Sequence, residues 1–278
     1  MRLVWQFLAV AAVAFIGGQA LAALEDHPWL QLAVGVPTAV LAVVVYGWVV
    51  RRTERRPSTE VALEGAPVAI GRGTLIGAAL FGAVMVNLFT SGHYEVDGVG
   101  SVSGAAGLFG FMAAAAVTEE LLFRGVLFRI TEERIGTWIA LVLTGALFGL
   151  SHLLNPNASV WGATAIAIEA GGMLTAAYVA TRKLWVPIGL HFGWNFAASG
   201  IFSTEVSGND TPQGLLDSAM SGPKLLTGGD FGPEGSVYSV LFCVLATIAF
   251  MWLAHRRGHV VPRRRRAERT DTTATLPR

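Results

Sequence analysis

Three short motifs gather residue types that can carry out hydrolytic chemistry. Glu119 and Glu120 are adjacent carboxylates, with Arg124 four residues after the second. Phe148 precedes His152 by four residues, and His191 precedes Asn195 by four. On a helix, Glu120 and Arg124 stand one turn apart and can pair. Glu119 then points about 100° away from that pair and has no local cation. A free carboxylate among apolar residues is suited to general-base work, and an imidazole opposite it could orient a water or donate to a leaving amine. Asn195, one turn beyond His191, offers a neutral amide donor; losing one such donor to a developing oxyanion typically costs about 2.7–4 kcal/mol.

The same residues admit other readings. Glu119, His152 and His191 form a known type of zinc ligand set, although the His-Glu-x-x-His signature of helical zinc proteases is absent. Ser151 beside His152 could be a nucleophile with His191 as base, which leaves Glu119, Glu120 and Arg124 without a task. A lone histidine is often only a packing residue, and the acid–arginine cluster could be a solvated helix end. Against the last stands the apolar continuation through Leu121, Leu122, Phe123, Val126, Leu127 and Phe128. A non-proteolytic scaffold or transporter would place Glu169 on an ion path with Glu119 and Glu120. The alternative for Glu169 is a carboxylate hydrogen-bonded within the bundle beside Gly171 and Gly172, which is the reading preferred.

Those residues must be positioned by apolar elements. Of the 278 residues, 53% are hydrophobic and 14% charged, against roughly 25% charged in a soluble domain. Mean hydropathy is +0.54. This composition excludes an ordinary soluble enzyme and a disordered chain. A single cysteine, Cys243, excludes an internal disulfide and a cysteine-based zinc cluster. The 33 glycines suit close helix packing in lipid. With about 20 residues needed per span, apolar stretches at 3–24, 29–50, 74–89, 102 to beyond 117, 137–154, 161–180, 184–202 and 236–254 predict an all-α, polytopic integral membrane protein. About eight transmembrane helices would enclose an intramembrane active-site cavity, reached from the cytoplasmic side. The transmembrane domain covers 1–255 and a basic, disordered cytoplasmic tail 256–278. Ala20-Leu21-Ala22 resembles a cleavage site, but the length of the preceding apolar run favours an uncleaved first helix.

Charge placement orients the bundle. Arg2, Arg51, Arg52, Arg55, Arg56, Arg72, Arg124, Arg129, Arg134, Arg182, Lys183 and the arginines from Arg256 onward fall on one side, and only Lys224 falls opposite. The positive-inside rule then puts both termini in the cytoplasm of a plasma-membrane protein. The tail suits anionic headgroups rather than nucleic acid, because no folded nucleic-acid module accompanies it. The aspartates all lie in loops or tail, which argues against an intramembrane aspartyl protease. If spans four and five turn near Ile135 and Gly136, Glu119 and His152 each lie roughly 25 Å along their helices and face each other. His191, about 12 Å beyond Lys183, reaches that depth only if its turn lies deeper or the fourth helix projects from the bilayer.

The ordered set Glu-Glu-x-x-x-Arg, Phe-x-x-x-His and His-x-x-x-Asn resembles the CAAX protease and bacteriocin-processing family (the Abi family), which includes the type II CAAX prenyl endopeptidases. The resemblance covers about Val102 to Phe202. It implies a membrane-embedded peptidase without a cofactor, acting on a peptide or membrane-protein substrate in the lipid bilayer. Glu119 and His152 would activate a water, His191 and Asn195 would form the oxyanion hole, and Glu120, Arg124 and Phe148 would support the site. The Ala-, Gly- and Arg-rich composition points to a bacterial source, which disfavours a prenylated substrate. The sequence assigns no role to the outer loop 203–235.

Overall fold

The computed structural model describes residues 1–263, so the last part of the expected tail, 264–278, lies outside the described residues. Long apolar helices dominate: α1 (Arg2–Ala22), α2 (Pro28–Glu54), α3 (Ala66–Thr90), α4 (Val102–Ile135), α5 (Thr137–Ser151), α6 (Val160–Thr181), α7 (185–201) and α8 (Val237–Arg256). Serine hydroxyls start three of them by accepting from backbone N–H groups that the first turn leaves unpaired. These are Ser101 from Gly104 (2.9 Å), Ser159 from Gly162 (2.9 Å) and Ser236 from Ser239 (3.1 Å). The α4–α5 turn falls at Gly136, as expected, where φ of 81° suits a residue without a Cβ.

Seven of these helices are long and apolar enough to cross a membrane. The eighth expected span, α7, is shorter, with 11 residues of α-helix followed by six in wider π turns. It nevertheless runs between the same two ends as α3, from Trp185, whose indole donates to the Ala62 carbonyl (2.8 Å), to Phe202, whose carbonyl accepts from Tyr94 (2.8 Å). Its apolar character reflects burial inside the bundle rather than contact with lipid, since Ile188, Leu190, Trp194 and Ala198 are all buried. Helix α6 is likewise central. The outer helices instead present Phe15, Val44, Leu75, Val142 and Ile248 on the molecular surface, as a lipid-facing perimeter requires.

Glycine lets α3 and α7 meet backbone to backbone. A Cβ at Gly73 or Gly77 would overlap the backbone of α7, and one at Gly189 or Gly193 the backbone of α3. This is the close approach of small residues that apolar solvent favours.

The expected one-sided arrangement of cations appears as an ion network at one end. Arg129 donates to both oxygens of Glu54 (2.8 and 3.0 Å), and Arg56 reaches Glu54 (2.6 Å) and Glu60 (2.9 Å). Arg182 pairs with Glu132 at 2.5 Å, and Arg2 pairs with Glu133. Burial opposes the charge on Glu60, but hydrogen bonds from Arg56 and Tyr46 outweigh it and hold this carboxyl below its ordinary value. The start of the basic tail is docked here. Val261 exchanges hydrogen bonds with Thr137, and the Arg182 guanidinium meets the His259 carbonyl.

The opposite end departs from the all-helical pattern. Strands β1 (Tyr94–Val99) and β2 (Leu216–Met220) form an antiparallel ribbon, with Tyr94 opposite Met220. Strand β2 belongs to the long loop 203–235, which folds down between the helix ends.

Candidate active site

Helix α4 changes pitch at the chemistry. It is α-helical to Glu120, passes through π turns over Leu121–Phe128, and resumes as Arg129–Ile135. Arg124 lies inside this wide stretch and is 1% exposed. It donates to Glu120 Oε1 (2.7 Å), the Ala170 carbonyl (2.5 Å) and Thr175 Oγ1 (3.3 Å), and its guanidinium lies 4.6 Å from the centre of the Phe148 ring. One buried cation thus joins α4, α5 and α6. Such a charge is tolerable in an apolar interior only because its donors and countercharge are matched.

Glu120 Oε1 is shared with His191 Nδ1 at 3.0 Å, which ties α4 to α7. On the other side of that ring, Nε2 stands 3.9 Å from Glu119 Oε2. Glu119 Oε2 has no hydrogen-bond partner among the described residues, and the side chain is 33% exposed, toward a cavity. His152 ends α5 one turn after Phe148. Its Nδ1 faces the Phe148 carbonyl at 2.8 Å, and the two rings are 4.7 Å apart. That bond fixes the proton on Nδ1 and leaves Nε2 for the cavity. Asn195 follows His191 by one turn, lines the same cavity and is 8% exposed.

The cavity has a volume of about 420 Å³ and is lined by Glu119, Phe148, His152, His191 and Asn195. The structure therefore brings together the five sequence-identified residues that could touch a substrate, with Glu120 and Arg124 behind them. The π turns over Leu121–Phe128 ease the depth problem posed by His191, because they take more residues for each turn of rise and so shorten the distance from the α4–α5 turn to Glu119.

Two expectations are corrected. Access from the arginine-rich side is not what the helices form. The lining residues of α4 run from Leu108 to Phe123 and stop where buried Arg124 begins, and the exposed ones, Ala22, Glu25, Ser151 and Asp210, lie at the opposite end. The loop 203–235, for which the sequence offered no role, supplies part of the cavity wall through Val206, Ser207, Asn209 to Pro212 and Glu234. Glu169 is not hydrogen-bonded within the bundle: it is 2% exposed and neither carboxylate oxygen has a partner among the described residues. Glu234 was invisible to sequence reasoning, since it follows a Gly-Pro turn in a loop rich in other acids.

Neither rival chemistry is favoured by this geometry. Ser151 donates its hydroxyl to the Phe148 carbonyl at 2.7 Å, and the adjacent Nδ1 of His152 is committed to the same oxygen. Among the described residues, no three His, Cys, Asp or Glu side chains converge as metal ligands would.

An apolar helical bundle long enough to cross a membrane, with acids and histidines meeting in a sunken cavity, is the architecture of a polytopic membrane protein and suits hydrolytic chemistry. Residues 101–197 match the family model described as Type II CAAX prenyl endopeptidase Rce1-like. That segment, about a third of the chain and nearly coincident with the stretch carrying the three motifs, is similar to this family, and the likeness supports a CAAX-type intramembrane endopeptidase in general. Neither the curated proteins nor the solved structures compared with the chain yield a match.

Proposed function

We propose that the chain hydrolyses peptide bonds with a water activated by Glu119 and His152, and that His191 and Asn195 receive the charge that develops on the carbonyl oxygen. One observation carries this reading. Of two neighbouring carboxylates, Glu120 is wholly buried and holds Arg124 and His191 through its Oε1, while Glu119 makes no hydrogen bond through Oε2 and is 33% exposed toward the cavity. Glu119 takes a proton from water, the hydroxide oxygen attacks the carbonyl carbon, and the carbonyl becomes an oxyanion. Collapse of that intermediate breaks the C–N bond, and the proton passes to the leaving amine through Glu119 or His152 Nε2.

His191 carries a condition. With its Nδ1–H donated to Glu120, Nε2 can donate to an oxyanion only if the ring holds both protons. Carboxylates on either side, at 3.0 and 3.9 Å, stabilise that imidazolium. Among the described residues the Asn195 side-chain amide has no other partner, so it too is available as a donor.

The positive-inside rule assigns the arginine-rich end to the cytoplasm of a bacterial plasma membrane. The cavity then opens toward the extracytoplasmic side, and the substrate is an exported peptide or the outer portion of a membrane protein. The experiment is a comparison of membrane proteins and short peptides from cells carrying the wild type or Glu119→Gln, with His152→Ala in parallel. Fragments that disappear in both variants support the proposal. Cleavage that persists in both, at wild-type protein levels, overturns it.

A further inference from the structure

The proposed hydrolysis leaves two buried carboxylates of the same cavity unused. Glu169 projects from α6 and is 2% exposed, with both oxygens unpartnered among the described residues. Glu234 lies in the turn Pro233–Gly235 and is also 2% exposed. Its Oε1 accepts from the Trp194 indole (2.8 Å), and its Oε2 accepts from the Ser207 backbone N–H (2.5 Å) and hydroxyl (2.8 Å). All three donors are neutral. Three hydrogen bonds hold this carboxylate in place without neutralising it, and neither acid forms an ion pair among the described residues.

A buried carboxylate without a countercharge is costly, and it is relieved either by a proton or by a cation brought to it. Among the described residues each other deeply buried acid has its cation: Glu120 has Arg124, Glu54 and Glu60 have Arg56 and Arg129, and Glu132 has Arg182. Glu169 and Glu234 are the exceptions there, and both line the cavity. Trp194, which positions Glu234, sits between His191 and Asn195 on α7, so this acidic wall adjoins the proposed oxyanion site. Exposed Asp210 and Glu25 at the cavity mouth extend the negative lining outward.

We propose that Glu169 and Glu234 form a specificity subsite for a cationic side chain, so that the enzyme selects peptide segments with Lys or Arg beside the scissile bond. This rests on the endopeptidase reading. The substrate cation supplies the charge that the fold withholds, and burial in the cavity makes the pairing selective over a neutral residue of the same length.

The test uses the full-length protein in detergent and a set of fluorogenic peptides carrying Lys or its neutral analogue norleucine at each position in turn. Wild type prefers Lys at one position, and in Glu169→Gln the Lys-to-norleucine ratio of kcat/KM falls at least about 30-fold, as for loss of one member of a buried charge pair. Glu234→Gln lowers the same ratio. The melting temperature of Glu169→Gln stays level or rises, whereas a structural carboxylate would lower it on substitution. An unchanged ratio in both variants overturns the proposal. So does Glu169-dependent binding of sodium or calcium without peptide, which would mark an inorganic cation site. Equilibrium binding of the same peptides to the Glu119→Gln protein separates the two readings. Lys-selective binding without any wild-type cleavage would keep the subsite and discard the endopeptidase, and binding without selectivity would discard the subsite.

Discussion

Removing the charge of Arg124 is the most incisive perturbation of the site. In Arg124→Met, Glu120 remains in a position where it is wholly buried, and its strong donor at 2.7 Å is gone. The Ala170 carbonyl and the Thr175 hydroxyl lose a partner as well. Breaking a buried pair by deleting one member typically costs about 3–5 kcal/mol. Glu120→Leu leaves the guanidinium unpaired and costs a similar amount. The double variant Arg124→Met/Glu120→Leu removes both charges, so its destabilisation falls below the sum of the singles by about 3 kcal/mol, near the upper end for coupled residues. Denaturant unfolding of the purified protein in mixed micelles measures all four corners of the cycle. The double variant folds but does not cleave, because His191 has lost the carboxylate that orients its ring. Single variants each costing under about 1 kcal/mol, or a double equal to their sum within about 0.5 kcal/mol, would refute the view that this pair is the structural centre of the site.

Other consequences are open to direct measurement. Asn195→Ala lowers kcat by about 100- to 1,000-fold with little change in melting temperature, the usual effect of removing one oxyanion donor. Gly77→Ala drives a methyl against the Leu190 carbonyl and the Trp194 N–H of α7, so it destabilises by about 1–3 kcal/mol and lowers activity. Gly82→Ala, with open space around the new carbon, does neither. Glu60 sits outside the spans with its carboxyl held below its ordinary value. Its contribution is complete above the unfolded-state pKa of about 4.3 and is lost as pH falls through the lower folded value. Melting temperatures of Glu60→Gln and wild type therefore converge in acid and diverge toward neutrality. Cleavage survives a strong chelator, and inhibition that is restored by zinc would revive the metal reading.

Much of this site could be read from the chain because its members lie on helices at fixed spacings. Four-residue intervals place Glu120 with Arg124 and His191 with Asn195 on common faces, whatever the rest of the fold does. The turn at Gly136 was equally legible, being the break between two apolar runs. Glu234 was not, since its place depends on where a long loop lands, which no local pattern encodes. The direction of access was hidden for a related reason. Hydropathy marks which residues avoid water but not whether they meet lipid or one another, so buried α7 reads like any span. Likewise the cations of the ion network were conspicuous in sequence, while the acids that neutralise them, Glu54, Glu60 and Glu132, drew no notice until the helix ends met.

The wide turns of α4 have a further consequence. Below them, Arg129 is clamped by Gln6, Glu54 and the Gly125 carbonyl; above them, Glu119 and Glu120 must face α7. A uniform α-helix of this length has one angular phase, so fixing either end would dictate the other. Over Leu121–Phe128 the helix slips phase, and the two clamps become independent, like a coupling between two shafts. Deleting Leu127 would leave Glu119, Glu120, Arg124 and His191 all in the sequence and still turn the acids away from the histidine.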